Sequence, residues 1–111
     1  MRDPEHPILP GACEYEIIAL RLEREQAEDM EPYLDLVLRR GQQRRVLRFW
    51  SPQNLEVARG GPTMTHGLAI YDIRARGLDQ LSVEVDDFED RNVSFVARDV
   101  EELPEAGTID D

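Results

Sequence analysis

The apolar residues of this chain recur at every second position, in short runs separated by glycine, proline or clustered acids, and that period belongs to strands half-buried on a core. In Tyr15 to Arg24, Ile18, Leu20 and Leu22 share one face while Arg21 and Glu23 share the other. Tyr33 to Arg39 alternates Leu34, Leu36 and Leu38 against Asp35 and Val37, and Arg45 to Trp50 points Leu47 and Phe49 inward. Further runs follow in Asn54 to Ala58 (Leu55, Val57), Leu68 to Ala75 (Ile70, Tyr71, Ile73) and Leu81 to Val85 (Leu81, Val83, Val85). Val93 to Val100 closes the pattern, apolar on both faces at its start through Val93, Phe95 and Val96.

The breaks between runs are equally informative. Gly41-Gln42-Gln43 reads as a hairpin loop, Ser51-Pro52-Gln53 as a strand break, and Gly77 to Gln80 as a turn. Glu25 to Pro32 is a polar connection with room for one helical turn near Ala27 to Met30, and Asp86 to Asn92 reads as an acidic turn. About seven strands spaced some ten residues apart, without a long amphipathic helix, predict an all-β fold. The expected architecture is a two-layer antiparallel β-sandwich; a small barrel or a strongly curved single sheet is the alternative that the same spacing permits. Leu20, Leu36, Phe49, Leu55, Ile73, Val83 and Phe95 are the expected core.

At 111 residues the chain has room for one hydrophobic core. Residues 13–100 are expected to form it, behind a loosely attached, extended lead-in over 1–12 that carries Pro4, Pro7 and Pro10, and ahead of a frayed acidic tail over 101–111. No apolar run approaches the roughly 20 residues of a membrane helix, and Met1 to Pro10 lacks the features of a secretory leader, so a cytoplasmic protein is expected. Cys13 is the only cysteine; it excludes an internal disulfide and reads as a small buried hydrophobe.

The formal charge of −11 disfavours nucleic acid and anionic membranes as partners. All 13 basic residues are arginine, as a GC-rich genome or salt adaptation would produce. Metal binding lacks a ligand set, since His6 and His66 lie far apart and Asp86-Asp87-Phe88-Glu89-Asp90 has no alternating calcium-loop spacing. Ser51, Ser82 and Ser94 occupy no nucleophile elbow. No cofactor is expected.

Two groups of residues remain as candidate binding sites. The first is the basic cluster Arg39, Arg40, Arg44, Arg45 and Arg48, followed by Trp50. Residues two apart share a strand face, so Arg44, Arg48 and Trp50 line up outward with Val46 and could bind an acidic partner, or else be neutralised by carboxylates of adjacent strands. The second is the Gly60 to Gly67 loop, where Thr65 and His66, helped by Arg74, could hold a small polar or anionic group.

The stretch Leu47-Arg48-Phe49-Trp50-Ser51-Pro52-Gln53-Asn54-Leu55-Glu56-Val57, with Leu68-Ala69-Ile70-Tyr71-Asp72 and Ser94-Phe95-Val96-Ala97-Arg98-Asp99-Val100, resembles small bacterial β-domain proteins of the immunity-protein 50 type, associated with polymorphic toxins. The resemblance spans Tyr15 to Val100 and implies a non-enzymatic protein that acts by binding. Where that family often has a Trp/Phe-His-Asp signature before its first strand, this chain has Gly11-Ala12-Cys13-Glu14-Tyr15. The functional expectation is therefore a protein-binding module. The alternatives are a small-molecule-binding protein or enzyme built on the Gly60 to Gly67 loop, and a homodimer joined through an edge strand.

Overall fold

Gly41 sets the register of the first sheet. With φ of 60° it takes the left-handed conformation that a tight hairpin requires, so Arg40 pairs directly with Gln43 across the two-residue turn Gly41-Gln42. The computed structural model describes residues 3–23, 31–57, 67–87 and 93–104. It contains β1 (Glu16–Glu23), β2 (Tyr33–Arg40), β3 (Gln43–Trp50), β4 (Gln53–Val57), β5 (Leu68–Asp72), β6 (Val83–Asp87), β7 (Val93–Ala97) and β8 (Asp99–Leu103). Two antiparallel four-stranded sheets result, in the orders β1-β2-β3-β8 and β4-β7-β6-β5. The remaining regular structure among the described residues is two single 3₁₀ turns, Ala12–Glu14 and Arg74–Arg76. The two-layer all-β architecture is as the period-two pattern predicts.

Eight strands are described, where the pattern predicts about seven, because the last apolar run is two strands. Val93–Ala97 belongs to one sheet and Asp99–Leu103 to the other, with Arg98 at the corner. The chain makes the opposite crossing at Ser51-Pro52, between β3 and β4. These corners touch, since the Arg98 N–H donates to the Trp50 carbonyl at 2.9 Å. Glu31 ties them together: its Oε2 accepts from Ser51 Oγ at 2.5 Å and Arg98 Nε at 2.6 Å, and its Oε1 accepts from Arg98 Nη2 at 2.9 Å. Strands that switch sheets at bent corners are a known way to close a sandwich at its ends.

The core lies between the inner faces. Leu34, Leu36, Leu38, Leu47 and Phe49 from the first sheet meet Leu68, Ile70, Val83, Val85, Val93 and Phe95 from the second, all buried. Phe49 and Phe95 join the layers edge to face, 5.0 Å between centroids at 88°. Of the expected core, Leu36, Phe49, Ile73, Val83 and Phe95 are buried, while Leu20 and Leu55 pack against its rim.

In β1 the sequence pattern misplaces a residue. A bulge between Ile17 and Ala19 switches the face, so Ile17 is completely buried before it and Leu20 and Leu22 face the core after it; Ile18 is only half-buried. Cys13 is exposed, contrary to the expectation of a buried thiol, because in the 3₁₀ turn Ala12 takes the inward position. Asp86 and Asp87, expected to open an acidic turn, belong to β6, and Asp87 is fully buried at the register position of Leu68; the rest of that expected turn, residues 88–92, lies outside the described residues. Glu101 to Leu103, expected to be tail, form the end of β8.

The lead-in is docked instead of loose. Glu5 bridges Tyr71, with the His6 N–H donating to the Ile70 carbonyl at 2.8 Å and the Asp72 N–H to the Pro4 carbonyl at 2.9 Å. Leu9 and Ala12 are buried, and Arg76 pairs with Asp3. This segment covers the edge of β5. The other three edges carry their own obstacles to pairing. β1 is bulged, β4 is five residues long and bulged, and β8 is five residues long, acidic through Asp99, Glu101 and Glu102, and followed by Pro104.

Candidate functional site

Antiparallel sheets that face water usually alternate apolar inward and polar outward. The outer face of the first sheet departs from that rule in one row. Ala19 pairs with Val37, Val37 with Val46, and Val46 with Leu103, so an apolar row crosses all four strands on the solvent side. None of the four is buried.

Beside this row sits a cation–aromatic cluster. The register places Asp35 opposite Arg48 and Tyr33 opposite Trp50. Arg48 donates from Nε and Nη2 to the two Asp35 oxygens at 2.8 and 2.9 Å, the fork-to-fork geometry of a strong charge-assisted pair. Its guanidinium carbon lies 3.7 Å above the Tyr33 ring centre and 5.6 Å from that of Trp50. The two rings meet edge to face at 5.6 Å, and the Trp50 Nε1–H donates to Glu101 Oε2 at 3.0 Å. Each side chain holds its neighbour, so the cluster is preorganised.

On the other side of the row lies the hairpin tip. Arg39 pairs with Glu16 at 2.7 Å, Arg40 with Glu14 at 2.8 Å, and Arg45 with Glu102 at 3.3 Å. Arg40 and Arg45 stand over the ring of buried Tyr15, at 5.0 and 5.9 Å. Arg44 is exposed and meets no carboxylate among the described residues.

The stripe read from the sequence is thus present on one face but divided in character. Arg48 is neutralised by an adjacent strand, Trp50 is half-buried, and Arg44 is free among the described residues. Sequence reasoning missed Tyr33, Asp35, Val37 and Leu103. The first three were accessible from the alternation of β2, had the hairpin been given two loop residues; a three-residue loop shifts the pairing by one and sets Asp35 against an inward side chain.

Thr65 and His66 lie outside the described residues. Arg74 is in a different place from the stripe, in the 3₁₀ turn after β5, where Nη2 bonds Asp72 Oδ2 at 2.6 Å and the Arg74 N–H bonds Asp72 Oδ1 at 3.0 Å. These bonds hold the Asp72 carboxyl down from 3.8 to about 2. Since the folded value lies below the unfolded one, ionised Asp72 contributes stability above about pH 4, and that contribution is lost as pH falls toward 2. Glu31 is shifted in the same direction by its bonds from Arg98 and Ser51. We expect the urea midpoint to fall between pH 5 and pH 2.5, and Asp72→Asn to flatten the decline. An identical slope in the variant would refute the assignment. Arg74 is largely solvent-exposed, so added salt should shrink the difference.

Ser51 donates its hydroxyl to the Glu31 carboxylate from a strained position, with φ of 53°. A general base must accept a proton near neutral pH, and Glu31, held by Arg98 below its usual range, is a poor one. Among the described residues no group of three His, Cys, Asp or Glu side chains is placed to hold a metal ion. No described helix is long and apolar enough to cross a membrane. Comparison with known proteins returned no matching family model, no matching curated protein and no matching solved structure.

Proposed function

We propose that this chain is a non-enzymatic binding module that engages a protein partner on the outer face of its first sheet. The observation that carries the reading is the apolar row Ala19-Val37-Val46-Leu103, running across every strand of the first sheet between a locked Arg48-Tyr33-Trp50 cluster and the opposed Arg39 and Arg44 at the hairpin tip. A patch of this composition, with an apolar centre, aromatics and arginine around it, has the make-up of an interface core and its surround. The blunted strand edges favour recognition by the face over pairing through an edge. The resemblance to immunity-protein 50 domains points toward binding as well, in an immunity-protein-like role.

Val46 is the residue to test, because it stands mid-row and only partly buried, so a charge there disturbs the face without opening the core. Capture of a partner from extract of the source cells should be lost with Val46→Glu, while the variant keeps the thermal transition of the parent. Undiminished capture by a folded Val46→Glu protein would overturn the reading.

A further inference from the structure

We infer that the tip of the β2–β3 hairpin takes an acidic segment of a protein partner, with a carboxylate held between Arg39 and Arg44. The inference rests on the outer face of the first sheet being the recognition surface and names the chemistry that one end of it selects.

Arg39 and Arg44 are directly opposed across the β2–β3 ladder, on the same exposed face. Side chains in that relation start about 5 Å apart at Cβ, and like charges so placed destabilise the sheet. Only one side of the pair is compensated. Glu16, next in the same row, bonds Arg39 through Nε at 3.2 Å and Nη2 at 2.7 Å, whereas Arg44 has no counter-charge among the described residues. An oxyanion between the two guanidiniums would relieve the repulsion and satisfy the free fork of Arg44.

The surroundings decide between anionic partners. Glu16 stands beside the pair in its own row, Asp35 and Glu101 lie on the same face beyond the apolar row, and the net charge of the chain is −11. A nucleic-acid backbone would have to lay a continuous row of phosphates across those carboxylates. A protein segment can place one or two acids at the tip and apolar residues on the Val37-Val46-Leu103 row beside it. At physiological ionic strength, about 0.15 M, charges beyond roughly 8 Å are largely screened, so the local arginines outweigh the distant excess of acid.

The test uses the full chain and a fluorescent peptide alternating glutamate with leucine, read by anisotropy at physiological ionic strength. Arg44→Glu is compared with Arg21→Glu, the same charge change at an exposed arginine on the same face beyond the apolar row. We expect saturable binding, weakened about tenfold or more by Arg44→Glu and changed less than about twofold by Arg21→Glu. Arg44→Glu should also melt at or above the parent temperature, since it replaces an opposed like-charge pair with attraction between Arg39 and the introduced carboxylate. Absence of saturable binding, equal loss in both variants, or preference for a single-stranded oligonucleotide of matched charge would overturn the inference. Loss of partner capture by Val46→Glu together with no peptide binding would leave the recognition face standing and remove only the acidic assignment at the tip.

Discussion

Truncation of Phe49 to alanine should destabilise the protein by about 3–5 kcal/mol, the range for a fully buried aromatic whose site only partly collapses. Phe49 has no solvent exposure and reaches from the first sheet to Phe95 of the second, so its loss removes both the transfer free energy of the ring and the edge-to-face contact between layers. A domain of this size has roughly 5–15 kcal/mol to lose. The alanine variant should therefore remain folded only marginally, and Phe49→Leu, which keeps most of the volume, should show a smaller loss. Urea unfolding of parent and variants measures both. A loss below about 1 kcal/mol for the alanine variant would mean that the layers are not joined at this point.

The alternation of Leu34, Leu36 and Leu38 against Asp35 and Val37 was enough to place β2 and its inward face, because a strand buried on one side has a strict period of two. The same rule failed at Ile17 and Ile18. Adjacent branched side chains both suit a strand, and nothing local says which one the bulge will leave unpaired. The split at Arg98 was hidden for a related reason. Val93 to Val100 holds no glycine or proline, only the polar pair Arg98-Asp99 interrupts its alternation, and the change of sheet there is held by contacts far away in sequence: Glu31 on the guanidinium and the Trp50 carbonyl on the Arg98 N–H. Lead-in docking was unreadable for the opposite reason. Pro4, Pro7 and Pro10 signal extended backbone, but the burial of Leu9 and the two backbone bonds to β5 become visible only once that edge exists.

The candidate site was partly legible. Its β3 half, Arg44, Arg48 and Trp50, follows from strand periodicity alone. Its β2 and β8 half required the register, which turns on whether the hairpin loop has two residues or three. Arg44 and Arg48 look equivalent in sequence, and only the register separates them: Arg48 is opposite Asp35, Arg44 opposite Arg39.

That difference predicts a second large effect, at Asp35. The residue is buried, its oxygens accept both forks of Arg48, and the guanidinium they hold is stacked on Tyr33. Removing one partner of a buried pair costs about 3–5 kcal/mol because the other charge is stranded. Here Arg48 keeps 23% of its side chain exposed and has Glu101 opposite it on β8, so the expected loss for Asp35→Ala is smaller, about 2–3 kcal/mol. Replacing both partners with apolar residues of similar size removes the stranded charge. The double variant Asp35→Leu, Arg48→Met should accordingly lie within about 1 kcal/mol of the parent, more stable than Asp35→Ala alone. Trp50, the only tryptophan, provides a local readout: release of Arg48 in Asp35→Ala should loosen the Tyr33–Trp50 contact and move the indole emission to longer wavelength. Partner capture separates the two variants again, since Asp35→Ala keeps the charge of Arg48 but releases it, whereas the double variant removes that charge and retains a packed face beside the Val37-Val46 row. A loss below about 0.5 kcal/mol for Asp35→Ala, with unchanged emission, would show that Arg48 re-pairs with Glu101 and that Asp35 does not organise this surface.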